Sequence, residues 1–155
     1  MTDLPVFTVA GLEADLTALV LPALDNDIAV DLGLVAVEVI RERDLNLAVQ
    51  VVVGDEVAFR ANLKGTSSKN DEWLAGKATV AVAFREPSLL VKLRNEEAGT
   101  TLEEQGYDFE TYRPHGGSIP IIVGDEVAGT ITMSGEPDVI DHQACAETVR
   151  RYLAR

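Results

Sequence analysis

The string VGDEVA occurs twice, starting at Val53 and at Val123. Each copy interrupts a run in which apolar residues alternate with others. Leu45, Leu47, Val49, Val51 and Val53 precede or open the first copy, and Val57, Phe59, Ala61 and Leu63 follow. Ile119, Ile121 and Val123 lead into the second, and Val127, Ile131 and Met133 follow. A period of two is that of a strand with one face on a core. The Gly-Asp pairs Gly54-Asp55 and Gly124-Asp125 suit two-residue turns, glycine supplying a positive φ without steric cost. Two β-hairpins are therefore predicted. A phosphate loop would need a run of glycines before a helix, and a strand follows here. A calcium loop would need acidic residues at alternate positions over twelve, and these are absent. Similarity around the six letters is poor, so convergence on a good turn explains the repeat better than duplication.

The other segments read as helices. Gly11–Leu16 predicts a short one, and Leu19–Ala23 a short strand. LDNDIAVDLGLVAVEVIRER predicts a strong helix that Asp25, Asn26 or Asp27 can cap, with Arg41 and Arg43 near its C-terminus where positive charge suits the dipole. Its polar stripe is only Asp31, Glu38 and Glu42, so more than one side must be covered, by another helix or a second subunit. Ser68 or Asn70 caps a helix reaching about Phe84; Pro87 breaks it and opens another over Ser88–Asn95. Thr101 with Glu104 forms a capping box for a short turn of helix ended by Gly106. The last helix is about Asp138–Leu153. This order predicts an α+β fold over residues 1–155 as one domain: a five-stranded antiparallel sheet flanked by helices on both faces, an α/β/α sandwich of the profilin-like kind.

The 155 residues suffice for a full core without staples. With 26 acidic against 13 basic residues the formal charge is −13, which disfavours nucleic acid and anionic membranes as partners. Cys145 is the only cysteine, so no intrachain disulfide forms. MTDLPVFTVAG has no basic n-region and no long apolar run, and no stretch approaches the ~18 apolar residues of a membrane span. The expectation is a cytoplasmic protein.

Few residues can carry chemistry. His115 lies in PHGGSIP, where Gly116 and Gly117 allow close backbone approach and expose N–H donors; a tight turn with a solvated histidine is the plain alternative. The loop suggests an esterase oxyanion loop, but Ser134 in TMSGE lacks both glycines of the nucleophile elbow. Asp138, Asp141 and His142 could hold a metal on one helix face, yet capping and dipole compensation explain the aspartates better, and no metal site is predicted. Thr130, Thr132 and Ser134 alternate along a strand. Asn70, Trp73 and Lys77 share a helical face. Cys145 reads as a small packing residue. Counting outward from the Gly124-Asp125 turn brings Ser118 and Ser134 to the same end of the second hairpin, where the last helix begins. That end is the expected site.

Five stretches, in this order, resemble the haem-degrading-domain superfamily of GlcG- and HbpS-like proteins, in particular its small uncharacterised branch. They are DNDIAVDLG (Asp25–Gly33), NDEW (Asn70–Trp73), AFREPSLL (Ala83–Leu90), HGGSIPI (His115–Ile121) and GTITMSGEPDVIDH (Gly129–His142). The resemblance runs from about Leu19 to the C-terminus. It departs at Ser118, where glycine is expected, and at Glu136, where an apolar residue is usual. It implies a five-stranded sheet flanked by helices, assembly into homo-oligomers, and binding or degradation of haem. The residues it implies for the site are His115, Gly116, Gly117, Ser134, Gly135, Asp141 and His142, with Asn70, Trp73 and Lys77; the hairpin geometry adds Ser118 as a candidate binding residue. The leading expectation is a homo-oligomer binding a small anionic or planar ligand, haem first, with His115, His142, Tyr107 and Tyr112 as candidate axial ligands. The rivals are a non-catalytic assembly or adaptor protein, and an enzyme on small carbonyl or organic-acid substrates using His115 as general acid or base.

Overall fold

A computed structural model of the chain describes residues 3–155. The two hairpins form one antiparallel sheet. Strand β1 (Ala48–Val53) pairs with β2 (Glu56–Asn62), and β3 (Ser118–Val123) pairs with β4 (Glu126–Ser134). β1 and β4 join the hairpins, giving the order β2-β1-β4-β3. Among the described residues the sheet thus has four strands, not five. The expected strand at Leu19–Ala23 contributes one parallel bridge, Val20 to Ile122, with the Leu21 N–H donating to the Ile122 carbonyl at 3.0 Å. Pro22 follows at once and has no N–H to continue a ladder.

Both VGDEVA strings are hairpin turns with a bulge. Gly54 and Gly124 have φ of 64° and 62°. Val52 opposes Val57 while Val51 opposes Phe59, so Ala58 is the extra residue; Ala128 plays the same part in the second hairpin. The bulge breaks the expected alternation. Phe59 stays on the face of Val51, whereas Val57 turns to the other face and is 57% exposed.

Helix α1 (Val9–Asp15) starts at Thr8, whose hydroxyl accepts the Gly11 N–H. Helix α2 (Asn26–Glu42) is capped by Asp25, which accepts the Ile28 N–H at 2.8 Å. Helix α3 (Asp71–Phe84) follows a short 3-10 turn that Ser67 caps, and α4 (Ser88–Ala98) begins after Pro87. Around Thr101 the chain makes a turn rather than a helix: Thr101 Oγ1 accepts the Glu104 N–H, but the Glu104 carboxylate goes to Thr100 instead of closing the box. Helix α5 spans Asp138–Leu153.

One face of the sheet, with Leu47, Val49, Val51, Ile119, Ile121, Ile131 and Met133, packs on α2 and α5 to make the main core. The other face carries Ser118, Thr130 and Thr132 under α3, all buried. α5 covers the side of α2 that the sheet leaves open, so α2's narrow polar stripe is met within the chain. Only Val30 and Leu34 of its apolar residues remain exposed. No helix among the described residues is long and apolar enough to cross a membrane.

Candidate functional site

Four elements meet where β3 begins and β4 ends. The loop before β3 lies against the end of β4, with the Met133 N–H donating to the Gly117 carbonyl at 2.8 Å. Here α3 and α5 converge. Asn70, Trp73 and Lys77, at spacings of three and four, face a cavity of about 360 Å³ together with His115, Ser134, Gly135, Glu136, Asp138 and Asp141.

The floor is a buried ion pair. Lys77 Nζ donates to Asp141 Oδ2 at 2.8 Å and to the Met133 carbonyl at 3.0 Å, and the two side chains are 3% and 2% exposed. Burial pushes the Asp141 carboxyl up to about 6, against the pull of the Lys77 ammonium and the Glu136 N–H. Gly117 makes this floor possible. Its φ is 130°, and a Cβ there would stand 2.5 Å from the Met133 carbonyl and 2.9 Å from Lys77 Nζ.

His115 forms a wall. Its ring meets the rings of Trp73 and Phe109 edge-on, with centroids at 5.3 and 6.0 Å, and the Arg113 guanidinium stacks 4.6 Å from the Trp73 ring. Burial holds the imidazole below its ordinary value, helped by the Lys92 charge and opposed by Asp138. It is therefore neutral at pH 7 and carries a free lone pair. Asp138 Oδ2 accepts from Gly116 N at 2.9 Å and from Lys92 Nζ at 2.8 Å. Burial raises its carboxyl, but Lys92 and the Gly116 N–H together outweigh that and hold it below the usual range.

The other predicted positions are placed differently. Gly116 and Gly117 shape the wall through their backbone. Ser118 is fully buried under the sheet, its N–H on Ser88 Oγ and its hydroxyl 2.8 Å from that of Thr132. His142 does not reach the cavity. One residue beyond Asp141, it points about 100° further round the helix. There its ring is 1% exposed, stands edge-on to Phe7 at 5.0 Å, and leaves Nδ1 without a partner among the described residues. Burial and the Arg150 charge hold it at about 4. Tyr107 and Tyr112 pack on each other and near Phe84. Cys145 is buried with Sγ 3.3 Å from the Gly117 carbonyl, and burial pushes its thiol up.

Sequence reasoning missed Glu136 and Asp138 as lining residues. The i, i+3 spacing of Asp138 and Asp141 was the available signal, and capping with dipole compensation explained it better. No periodic pattern marks Phe109, which sits in a linker. The Gly116 N–H, expected to be an exposed donor, is already taken by Asp138. The Gly116, Ser118 and Glu136 N–H groups all serve the protein's own acceptors.

A family model described as haem degrading protein HbpS-like matches residues 24–150. The chain belongs to this family. A UPF0303 protein of Streptomyces coelicolor is 38% identical over 148 residues, 94% of each chain. Among solved structures, the Ybr137w protein superposes with a TM-score of 0.87 at 22% identity, over 96% of this chain and 90% of that one. A PduOC–heme complex gives 0.69 at 19% identity, over 84% and 94%. At these identities the structural likenesses speak for the fold. The HbpS-like family has the α+β architecture with an antiparallel sheet seen in this chain.

Proposed function

We propose that this chain binds haem at the cavity, with His115 as the axial ligand to iron. One observation carries the reading: of the four candidate ligands, His142, Tyr107 and Tyr112 are packed elsewhere, and His115 alone lines the cavity. A neutral, half-buried imidazole flanked by aromatic edges suits haem iron. The family description and the heme-bound structural neighbour point the same way. Bound haem would supply a redox-active iron. The chain's own part is to hold the imidazole, which Phe109 braces from outside the cavity, with Trp73 in the lining for apolar contact. Glu136, Asp138 and Asp141 on the inner wall disfavour propionates, which fit better toward solvent. Titration with haem followed at the Soret band tests the reading. Wild-type protein should give a saturable band that His115→Ala weakens and shifts; an unchanged band in His115→Ala overturns it.

The same reading includes a homo-oligomer in the cytoplasm. Leu34 and Leu153, 54% and 37% exposed near one another around a shared cleft, support an apolar contact between copies. Light scattering should give a multiple of 16.7 kDa; a monomer at micromolar concentration refutes it.

A further inference from the structure

Asp138 and Asp141 stand about one turn apart on α5 and make parallel sets of bonds. Asp138 takes the Gly116 N–H and the Lys92 ammonium. Asp141 takes the Glu136 N–H at 3.1 Å and the Lys77 ammonium at 2.8 Å. Each carboxylate thus ties a loop bordering the cavity to a lysine from another helix, α4 in the first case and α3 in the second. The two clamps differ in burial. Lys77 and Asp141 are shut in the core, whereas Lys92 and Asp138 are 29% and 21% exposed. They differ also in what they hold. The Gly116 N–H belongs to the peptide unit that joins Gly116 to His115, so its bond to Asp138 fixes the backbone on which the imidazole is mounted. The approach is close: a Cβ on Gly116 would lie 2.5 Å from the Asp138 carbonyl.

We propose that Asp138, held by Lys92, is the positioning residue for His115. The outer clamp sets the direction in which the imidazole enters the cavity, and the inner clamp serves the fold. A charge-assisted bond suits this task, being shorter and stronger than a neutral one. Without it the His115–Gly116 unit must be ordered at the moment of binding, which weakens affinity. The proposal rests on His115 being the group that meets the ligand.

Asp138→Ala, Asp138→Asn and Lys92→Met, each compared with wild type, test this through amide exchange at Gly116 and haem titration. Loss of one hydrogen bond to a charged group should speed Gly116 exchange and raise the haem dissociation constant about tenfold in Asp138→Ala. Asp138→Asn keeps an acceptor and should recover part of both, which a merely structural role does not predict. Lys92→Met should move both in the same direction by less. Wild-type exchange and affinity in Asp138→Ala, or in Lys92→Met should the alanine variant not fold, overturn the proposal. If Asp138→Ala speeds exchange while His115→Ala leaves haem affinity unchanged, the clamp stands and the haem reading alone falls.

Discussion

Lys77→Met should destabilise the protein by an amount that grows with pH. Methionine keeps the length of the side chain and removes the charge, leaving Asp141 in the core with only the Glu136 N–H. Removing one partner of a buried pair costs about 3–5 kcal/mol when the other stays charged. Asp141 has an escape, because it can take up a proton. Its folded value is already raised from 3.8 to about 6 in the presence of Lys77, and without the ammonium it rises further. A folded value above the unfolded one means that the folded state binds the extra proton. The associated stability is present below 3.8 and is lost as pH climbs through the folded value. The variant goes on losing stability above the pH at which wild type has stopped. At pH 5 Asp141 is protonated in both proteins, and only the Lys77 bonds to Met133 and the carboxyl are lost, about 1–2 kcal/mol. At pH 8 the difference should reach about 3–5 kcal/mol, or roughly 10 °C in Tm for a domain of this size. Urea unfolding of both proteins at pH 5 and pH 8 measures it. A difference that is the same at the two pH values, or absent at pH 8, refutes the reasoning.

Three further outcomes are expected. Gly117→Val forces a β-branched residue to φ 130° and against the Met133 carbonyl, so thermal unfolding should show a loss above about 3 kcal/mol and haem titration a much weaker band. His142 is held near 4 against 6.5 when unfolded, so the unfolded chain binds the extra proton at this group and its contribution to stability falls as pH drops from 6.5 to 4, by up to about 3 kcal/mol. Asp141, raised from 3.8 to about 6, supplies an opposite slope of similar size over nearly the same range, so wild type should stay nearly level between pH 6.5 and 4, while His142→Phe, which removes only the first slope, should gain up to about 3 kcal/mol toward pH 4 in unfolding curves. Asp55→Ala and Asp125→Ala change turns at the end of the sheet away from the cavity, and haem affinity in both should match wild type.

Much of the frame was legible along the chain because it is built from local rules. Alternation around VGDEVA marked both hairpins, Pro87 marked a helix start, and Asp138–Leu153 was readable to its ends. The hairpin also joined the His115 loop to the end of β4, since both lie at the end opposite the turn, and the one-residue shift at Ala128 does not change that. Other features depend on which elements meet. Period two could not show that Ala58 and Ala128 bulge and turn Val57 outward, because a bulge depends on the opposing strand. The apolar girth of α2 was plain, but not that α5 covers it. Asp141 and His142 are adjacent letters; the rotation of α5 against the sheet sends one carboxylate to Lys77 and the imidazole to Phe7. Local sequence thus determined the elements, through periodicity, caps and turns that each act within a few residues. Tertiary structure decided which side chains share the cavity and which are packed elsewhere, because burial and charge pairing arise only between residues far apart in the chain.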